Sequence, residues 1–245
     1  MSTESSTAQT VKLKDRKQVA EGTMAFYFDK PAGFEFRAGQ AMDLTLLDPP
    51  ETDGEGNIRT FSIISAPFED HLAVATRMRD TAFKRVLKAV PLGTEVKVEN
   101  PGGSLTLHKN ASKPGVFLAG GIGITPFMSI LGEAAHEKLP HRLYLFYANH
   151  RPEDAPFLDA LNGLQKANPN FRFVPTMTDM EKSKQEWTGE RGVIDGAMLS
   201  RTMPELQGPI YYIAGPPAMV AAMRKMLIDA TVDEDDIRTE EFAGY

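Results

Sequence analysis

The sequence contains no cysteine among its 245 residues. Disulfide bonds, a thiolate nucleophile and a cysteine-ligated iron–sulfur cluster are therefore excluded within this chain. No apolar run approaches the roughly 18 residues that a membrane-spanning helix needs, and the N-terminal MSTESSTAQT lacks the basic start and apolar stretch of an export signal. These absences lead us to expect a soluble, cytoplasmic protein.

An excess of positive charge is also absent, because 27 Lys and Arg face 33 Asp and Glu, for a formal net charge of -6. This argues against nonspecific nucleic-acid binding, which depends on neutralising phosphates. The five histidines lack zinc-ligand spacing, so we predict no metal site. The length favours two domains, although one large barrel would also fit.

The first half of the chain carries short runs of alternating apolar and polar residues, separated by Gly, Pro and Asp. Runs of this kind predict an antiparallel barrel or sandwich. They occupy residues 22–28, 40–46, 58–64, 71–77 and 94–98. Residues 81–90 instead have apolar side chains near helical spacing and end before Pro91, which predicts one short helix that caps the barrel.

From about Lys113, apolar strands alternate with amphipathic helices, a pattern that predicts a parallel sheet covered on both faces. The predicted strands are 115–119, 142–147, 171–177 and 210–214, and the predicted helices are 124–138, 153–167 and 217–230. We therefore predict a disordered tail at 1–10, a barrel domain at 11–112 and a dinucleotide-type α/β domain at 113–245.

Two glycine- and proline-rich loops follow apolar strands of the second half. The first, LAGGIGITPF at 118–127, brings Gly120, Gly121 and Gly123 to the end of a strand, and a helix opens near Thr125 and Pro126. Glycines let phosphates approach the backbone, and a helix N-terminus offers free N–H groups. The spacing is not that of the G-x-G-x-x-G fingerprint, so a tight turn without a ligand would also explain it.

The second loop, AGPPAM at 214–219, also lies between an apolar strand and a helix. Ligands of open parallel sheets gather at the carboxyl ends of the strands, so we expect both loops to face one crevice. A rigid turn is the alternative. If the second loop does bind a ligand, its expected ligand-binding residues are Ala214, Gly215, Pro216, Pro217 and Met219.

A third motif, RTFS, lies within a predicted barrel strand. Alternation places Arg59 and Phe61 on one face and Thr60 and Ser62 on the other. Arginine can clamp a phosphate, an aromatic ring can stack, and a hydroxyl can bond a heterocycle nitrogen. In isolation the segment would also fit an ordinary barrel strand.

The order RTFS, GGIGITP, AGPP and an acidic, aromatic C-terminus resembles the ferredoxin:NADP reductase superfamily, in particular its flavodoxin reductase and oxygenase-reductase branches. The resemblance covers roughly residues 11–245. It implies a six-stranded Greek-key barrel that holds a flavin, followed by an NAD(P)H-binding domain. The implied protein is a flavoprotein reductase that stands alone without an iron–sulfur domain.

The resemblance also implies residue roles. Arg59 matches the arginine at the flavin pyrophosphate, Phe61 the aromatic packed on the flavin, and Ser62 the hydroxyl near flavin N5. Other barrel residues expected to bind the cofactor are Thr60, Val74, Ala75, Thr76, Arg77, Ala82, Phe83 and Lys84.

The sequence departs from the pattern of the superfamily at several positions. Phe61 replaces a frequent tyrosine, and Ala214 stands where plant-type members have a cysteine. Phe83 and Lys84 replace small residues and serine, which leaves FMN open although we expect FAD.

The C-terminal EEF resembles the residues that lie by the flavin ring in relatives. We expect Phe242 to cover the isoalloxazine, with Tyr245 as the alternative, and Glu240 to relay a proton; a frayed acidic terminus would be the plain explanation. Ser62, Glu240 and Phe242 are thus the expected catalytic residues. In the implied reaction, nicotinamide C4 delivers hydride to flavin N5, and the protein aligns the two.

Cofactor preference is expected to depend on the residues after strand 171–177. Asp179 and Glu181 would repel a 2′-phosphate, which favours NADH over NADPH, although Lys182 and Lys184 could swing in.

We expect the electron acceptor to be a protein such as ferredoxin, flavodoxin or an oxygenase component. We expect the reductase itself to be a monomer. Arg77, Arg79, Lys84, Arg85 and Lys88 could steer an acidic partner, or they could simply be helix-surface charge. The alternatives are a reductase of free flavin or small quinones, and a non-catalytic nucleotide-binding subunit of a larger redox complex.

Overall fold

In the computed structural model, which describes residues 8–242, the first half of the chain forms a six-stranded antiparallel sheet. Its strands are β1 (Gln9–Ala20), β2 (Thr23–Asp29), β3 (Ala41–Leu46), β4 (Ile58–Ser62), β5 (His71–Arg77) and β6 (Glu95–Gly102), in the order β4-β3-β6-β1-β2-β5. The outer strands meet where Ile63 bridges Val74 and the Ile64 N–H donates to the Ala73 carbonyl at 2.8 Å. The sheet therefore closes into the predicted barrel.

The core of the barrel follows from the alternation of its strands, since inward residues such as Phe26, Phe28 and Leu44 are fully buried. Helix α1 (Ala82–Ala89) covers this core with Phe83 and Leu87, as the spacing predicted. The Thr81 side chain caps the helix by accepting from the Lys84 N–H.

Strand β1 was missing from the runs read off the sequence. Its segment QTVKLKDRKQVA is mostly polar, and only Val11 and Leu13 are buried in it. The strand also begins at Gln9, so residues 9 and 10 correct the prediction of a disordered tail at 1–10. Residues 1–7 of that tail lie outside the described residues.

The second half forms a six-stranded parallel sheet in the order β10-β9-β8-β7-β11-β12, as predicted in type. Its strands are β7 (Gly115–Gly120), β8 (Leu143–Asn149), β9 (Phe171–Met177), β10 (Glu190–Arg191), β11 (Ile210–Gly215) and β12 (Ile237–Glu241). Its helices are α2 (Thr125–His136), α3 (Leu158–Ala167), α4 (Gly196–Thr202) and α5 (Pro217–Asp229). The short β10 and α4 were not predicted, because they offer too few residues to show a period.

Both faces of this sheet are covered by helices. Phe117, Leu145 and Tyr212 pack with α2 and α3 on one face, and their chain neighbours Leu118, Phe146 and Tyr211 pack with α4 and α5 on the other. Helix α3 starts five residues later than predicted, because Phe157 at φ +66° interrupts the helical backbone before Leu158. The strand order reverses between β7 and β11, so a crevice opens where these two strands end.

The two domains pack directly on each other. The buried Ser129 hydroxyl of α2 donates to the Ser65 carbonyl of the barrel at 2.7 Å. The Arg151 guanidinium of the α/β domain pairs with the Glu21 carboxylate at 2.9 Å. Within residues 8–242, none of the helices combines the length and hydropathy that crossing a bilayer would require.

His108 ties the linker between the domains to the sheet. Its backbone N–H donates to the Tyr212 hydroxyl at 2.8 Å, its Nδ1 lies 2.9 Å from the same hydroxyl, and its Nε2 lies 2.9 Å from the Lys113 carbonyl. The Lys113 carbonyl can only accept, so Nε2 carries the proton and Nδ1 accepts from Tyr212. A second proton on the ring, at Nδ1, would therefore remove the hydrogen bond that Tyr212 donates to it.

We expect acid to destabilise the protein through His108. Burial lowers the pKa of His108 below its usual value of 6.5, so the unfolded chain binds the proton more readily than the folded one. The free energy of unfolding should fall as the pH drops below about 6.5, a range set by the ordinary histidine pKa. Urea unfolding of wild type and His108→Gln between pH 7.5 and 5.5 measures this, and the variant should show a shallower pH dependence. Equal slopes would contradict this role.

Candidate functional site

A cavity of about 290 Å³ lies between the barrel and the α/β domain. The barrel supplies one wall from β4, β5 and the start of α1, and the α/β domain supplies Ile122, Thr125 and Phe242. The predicted residues that the structure brings together here are Arg59, Thr60, Phe61, Ser62, Ala75, Thr76, Arg77, Lys84, Thr125 and Phe242. Four separate segments of the sequence therefore meet in one cavity, which we call the first cavity.

The Ser62 hydroxyl is a buried polar group of the first cavity that lacks a hydrogen-bond partner among the described residues. The residue is only 5% exposed. Leaving a buried hydroxyl unsatisfied costs roughly 1–3 kcal/mol. Ser62 ends β4, whose pairing with Ala41 in β3 holds the backbone, so the hydroxyl stays at the cavity wall. A ligand with a hydrogen-bonding atom at this wall would satisfy it.

The Arg59 guanidinium lies over the Phe83 ring at 5.2 Å and pairs with the Glu55 carboxylate at 2.7 Å. The Phe61 ring lies 5.9 Å from that of Phe83, so Phe83 supports both residues from the core. The side chains of Val74, Ala82 and Phe83 are buried in the barrel and do not line the first cavity. Phe83 is thus placed as packing beneath the site.

An acidic hairpin, residues 51–57, lies against the end of the first cavity where Arg59 lies. Asp53 accepts from the Ala82 N–H at the start of α1 at 2.9 Å and lies 3.5 Å from the Arg59 guanidinium. The hydrogen bond from Ala82 holds the pKa of Asp53 below its usual range. An anion already occupies the helix N-terminus beside an arginine, which is the environment that a phosphate requires. The residues present therefore fit the diphosphate of a flavin in place of these carboxylates.

We expect the double variant Asp53→Asn/Glu55→Gln to bind FAD several-fold more tightly than wild type. The two carboxylates compete with the diphosphate for Arg59 and for the Ala82 N–H, and the neutral side chains compete less well. Titration of the flavin-free protein with FAD, followed by flavin fluorescence, gives the two dissociation constants. Asp70→Asn, which removes a fully exposed carboxylate elsewhere, is the matched control, and weaker FAD binding by the double variant would contradict the competition.

A second cavity, of about 700 Å³, adjoins the first at the carboxyl ends of β7, β8, β9 and β11. Gly120, Gly121, Pro216 and Met219 of the two predicted loops line it. Arg77 and Arg79 line both cavities, so a ligand in one lies next to a ligand in the other. Both loops therefore contribute residues to the same crevice.

The loops approach each other so closely that glycine is required. A Cβ on Gly123 would overlap the Ala214 carbonyl oxygen and lie 2.7 Å from the Gly215 nitrogen. Gly121 adopts φ +51°, a conformation that side chains disfavour. Gly123, Pro126, Ala214, Gly215 and Pro217 line neither cavity, so the structure places them as the framework of the crevice.

The C-terminal strand delivers Phe242 to the first cavity. Its N–H donates to the Gly215 carbonyl at 3.0 Å, which fixes the ring beside the second loop. Glu240 pairs in register with Ala214 and lines neither cavity, so the structure does not bring it together with Ser62. Burial raises the pKa of the Glu240 carboxyl. Tyr245 lies outside the described residues.

Asp179 lies beside the second cavity without lining it. Its carboxylate pairs with Lys182 at 2.6 Å, and its N–H donates to the His150 carbonyl at 2.8 Å. The neighbouring Thr178 does line the second cavity.

The predicted basic cluster is only partly available to an anion, and within it the Lys84 ammonium donates to the Arg77 carbonyl at 2.7 Å. Arg85 is neutralised by Glu51 and Asp80, whereas Arg77, Arg79 and Lys84 lie at the first cavity. Burial, together with neighbouring Arg79 and Arg59, lowers the pKa of Lys84.

Several residues of the second cavity were missed from the sequence. Asn149, Val193, Ile194 and Met223 all line it. Val193 and Ile194 follow the short β10 and belong to no sequence motif. Asn149 offered a signal, since it is a polar residue at the end of the otherwise apolar strand β8.

Comparison with known proteins gives a consistent picture. Residues 117–225 match the family model of the oxidoreductase NAD-binding domain. The phenol hydroxylase P5 protein of Acinetobacter pittii is 26% identical over 96% of this chain and 65% of its own length. The reductase component of the propane 2-monooxygenase of Rhodococcus jostii is 26% identical over 88% of this chain and 58% of its own length. The chain thus spans less than two thirds of these relatives.

Among solved structures, a ferredoxin NADP+ reductase from Neisseria gonorrhoeae with bound FAD and NADP superposes with a TM-score of 0.77 at 24% identity. The superposition covers 96% of this chain and 98% of that one. This likeness shows the fold, in which an antiparallel barrel precedes a parallel α/β domain.

Proposed function

We propose that the chain is an NAD(P)H-dependent flavoprotein reductase of the ferredoxin:NADP reductase superfamily. Its two-domain fold and its match to the oxidoreductase NAD-binding domain over residues 117–225 support this proposal. In this proposal hydride passes from the nicotinamide to bound FAD, and the electrons pass on to a separate acceptor. The observation that carries it is the unsatisfied Ser62 hydroxyl in a cavity that adjoins the nucleotide-sized crevice of the second domain.

The barrel residues would hold the flavin. Arg59, the start of α1 and Lys84 would bind the diphosphate, Phe61 would pack on the ring system, and Ser62 would donate to the ring nitrogen nearest the nicotinamide. The flavin, when bound, supplies the capacity to accept a hydride and to release electrons singly or as a pair. The chain would supply alignment and exclude water, with Phe242 at the opposite wall of the first cavity.

The second domain would hold the dinucleotide. The turn at Gly120 and Gly121 allows a diphosphate to approach the backbone at the switch point of the sheet. Pro216 and Met219 form the apolar floor beside it, and Arg77 and Arg79 supply positive charge from the barrel. The nicotinamide end would then point toward Phe242 and Ser62.

We expect turnover with NADH to exceed turnover with NADPH. The Asp179 carboxylate lies next to the second cavity and neutralises Lys182, so little free positive charge remains for a 2′-phosphate. Asp179→Asn should free Lys182 and shift the ratio of kcat/KM values toward NADPH by about tenfold, the effect of about 1.4 kcal/mol. Steady-state kinetics with both nucleotides measures the ratio, with Asp159→Asn on α3 as a control. A wild-type enzyme that prefers NADPH would contradict this assignment.

The relatives that share most of this chain's length are, by name, parts of oxygenase systems, which supports an electron-accepting protein partner. Lys88, the exposed basic residue in the last turn of α1, would present positive charge to an acidic carrier. The test compares reduction of an acidic ferredoxin and of the small dye ferricyanide by NADH. Added salt should slow only the first reaction. A purified protein that reduces neither, with flavin supplied, would overturn the proposed function.

A further inference from the structure

Asn149 is a buried polar residue that the sequence motifs did not single out. It is the last residue of β8 and only 6% exposed, and it lines the second cavity. Neither its amide nitrogen nor its amide oxygen has a hydrogen-bond partner among the described residues. Both atoms that can recognise a ligand are therefore unsatisfied at the wall of the candidate nucleotide site.

The backbone of Asn149 cannot relieve this by moving. Its carbonyl accepts from the Thr178 N–H at 2.9 Å, and the residue pairs in register with Met177 of β9. A buried amide without partners destabilises the fold, because the loss of its hydrogen bonds to water is not compensated. The fold tolerates this cost at a position where substitution by an apolar residue would remove it, which indicates that the carboxamide serves a bound molecule.

The position in the sheet indicates which part of a dinucleotide lies there. Strand β8 lies between β7, which carries the Gly120–Gly121 turn, and β9, which leads into Thr178. The nicotinamide end would lie on the other side of β7, toward Phe242 and the first cavity. Asn149 therefore faces the adenosine half.

The chemistry of the carboxamide indicates which group of the adenosine half it would bind. An uncharged group with one acceptor and two donors matches a pair of hydroxyls, each of which can donate and accept, whereas phosphate oxygens only accept. The adenosine ribose offers such a pair. We propose that Asn149 binds the hydroxyls of the adenosine ribose of NAD(P)H through its carboxamide. This inference rests on the proposed function and adds a specificity-determining residue to it.

Asn149→Leu keeps the size of the side chain and removes its polar atoms. We expect the affinity for NADH and for ADP, which carries the adenosine ribose alone, to fall about tenfold or more, the effect of losing hydrogen bonds worth about 1.4 kcal/mol. Binding of nicotinamide mononucleotide should be unchanged. Calorimetric titration of the FAD-loaded protein with each probe gives these values. The Tm of the ligand-free variant should equal or exceed that of wild type, because an unsatisfied polar group is removed.

Asn168→Ala is the matched control, since Asn168 is similarly buried but its carboxamide oxygen accepts from the Asn170 N–H at 2.9 Å, away from both cavities. It should lower the Tm and leave ADP binding unchanged. Asn149→Ala, which cannot clash, provides the same binding test should the leucine variant not fold.

The outcomes distinguish a failure of the role proposed for Asn149 from a failure of the proposed function. Unchanged ADP affinity in the Asn149 variants, beside normal binding by wild type, would overturn the role of Asn149 alone. Loss of nicotinamide mononucleotide binding in place of ADP binding would overturn the assignment to the adenosine ribose. Wild-type protein that binds neither NADH nor ADP would instead overturn the proposed function.

Discussion

Replacing Ser62 with alanine is expected to slow reduction of the bound flavin by NADH by about 100-fold, the effect typical of removing one preorganised hydrogen-bond donor at a reacting centre. The hydroxyl is buried, unsatisfied and held at the wall of the first cavity by the pairing of β4 with β3. Stopped-flow absorbance at the flavin bands measures the rate. FAD should stay bound, because Arg59 and the start of α1 are untouched.

Thr45→Val provides the matched control for Ser62→Ala. The Thr45 hydroxyl is also buried without a partner in the barrel, but it lies in β3 and lines neither cavity. Both variants remove one unsatisfied hydroxyl, so neither should lower the Tm of the ligand-free protein. If both variants reduced flavin as fast as wild type, Ser62 would have no part in the reaction.

Replacing Gly123 with alanine is expected to destabilise the protein by about 3 kcal/mol, the upper end of the typical cost of overpacking a close-packed interior. The added methyl group would overlap the Ala214 carbonyl, which is fixed in β11 between two neighbouring strands. The two loops would have to separate, and the crevice between β7 and β11 would change shape. Urea unfolding measures the free energy, and NADH affinity should fall with it.

The matched control is Gly163→Ala in the middle of α3. A Cβ there meets no atom within 4 Å, so alanine should stabilise the protein by about 0.5–1 kcal/mol through its higher helix propensity. Opposite signs for the two substitutions would show that the cost at Gly123 arises from the close approach of the loops. A Gly123→Ala variant as stable as wild type would mean that the loops do not meet as described.

The sequence predicted those parts of the fold in which local pattern and tertiary structure agree. The apolar strands of the second half are buried on both faces, so their composition identified them. Strand β1 was not predicted, because it is polar along most of its length and is recognisable only by its pairing with β2 and β6. Such pairing is a long-range property that no window of the sequence contains.

The candidate site divides in the same way. Arg59, Phe61 and Ser62 could be located from the resemblance of one tetrad to the superfamily, although strand alternation alone places Ser62 on the opposite face from Arg59 and Phe61. The acidic hairpin that pairs with Arg59 could not, since it depends on the geometry of a turn. Asn149 offered a signal as the polar end of an apolar strand, but its unsatisfied carboxamide could be recognised only from burial and hydrogen bonding together.

The central claim is that the two adjoining cavities hold a flavin and a nicotinamide against each other. Anaerobic titration of the FAD-loaded protein with NADH, followed across the visible spectrum, tests it most directly. The account predicts a long-wavelength charge-transfer band, which requires stacked rings, together with bleaching of the flavin bands. A protein that binds FAD and NADH but shows neither change would contradict it.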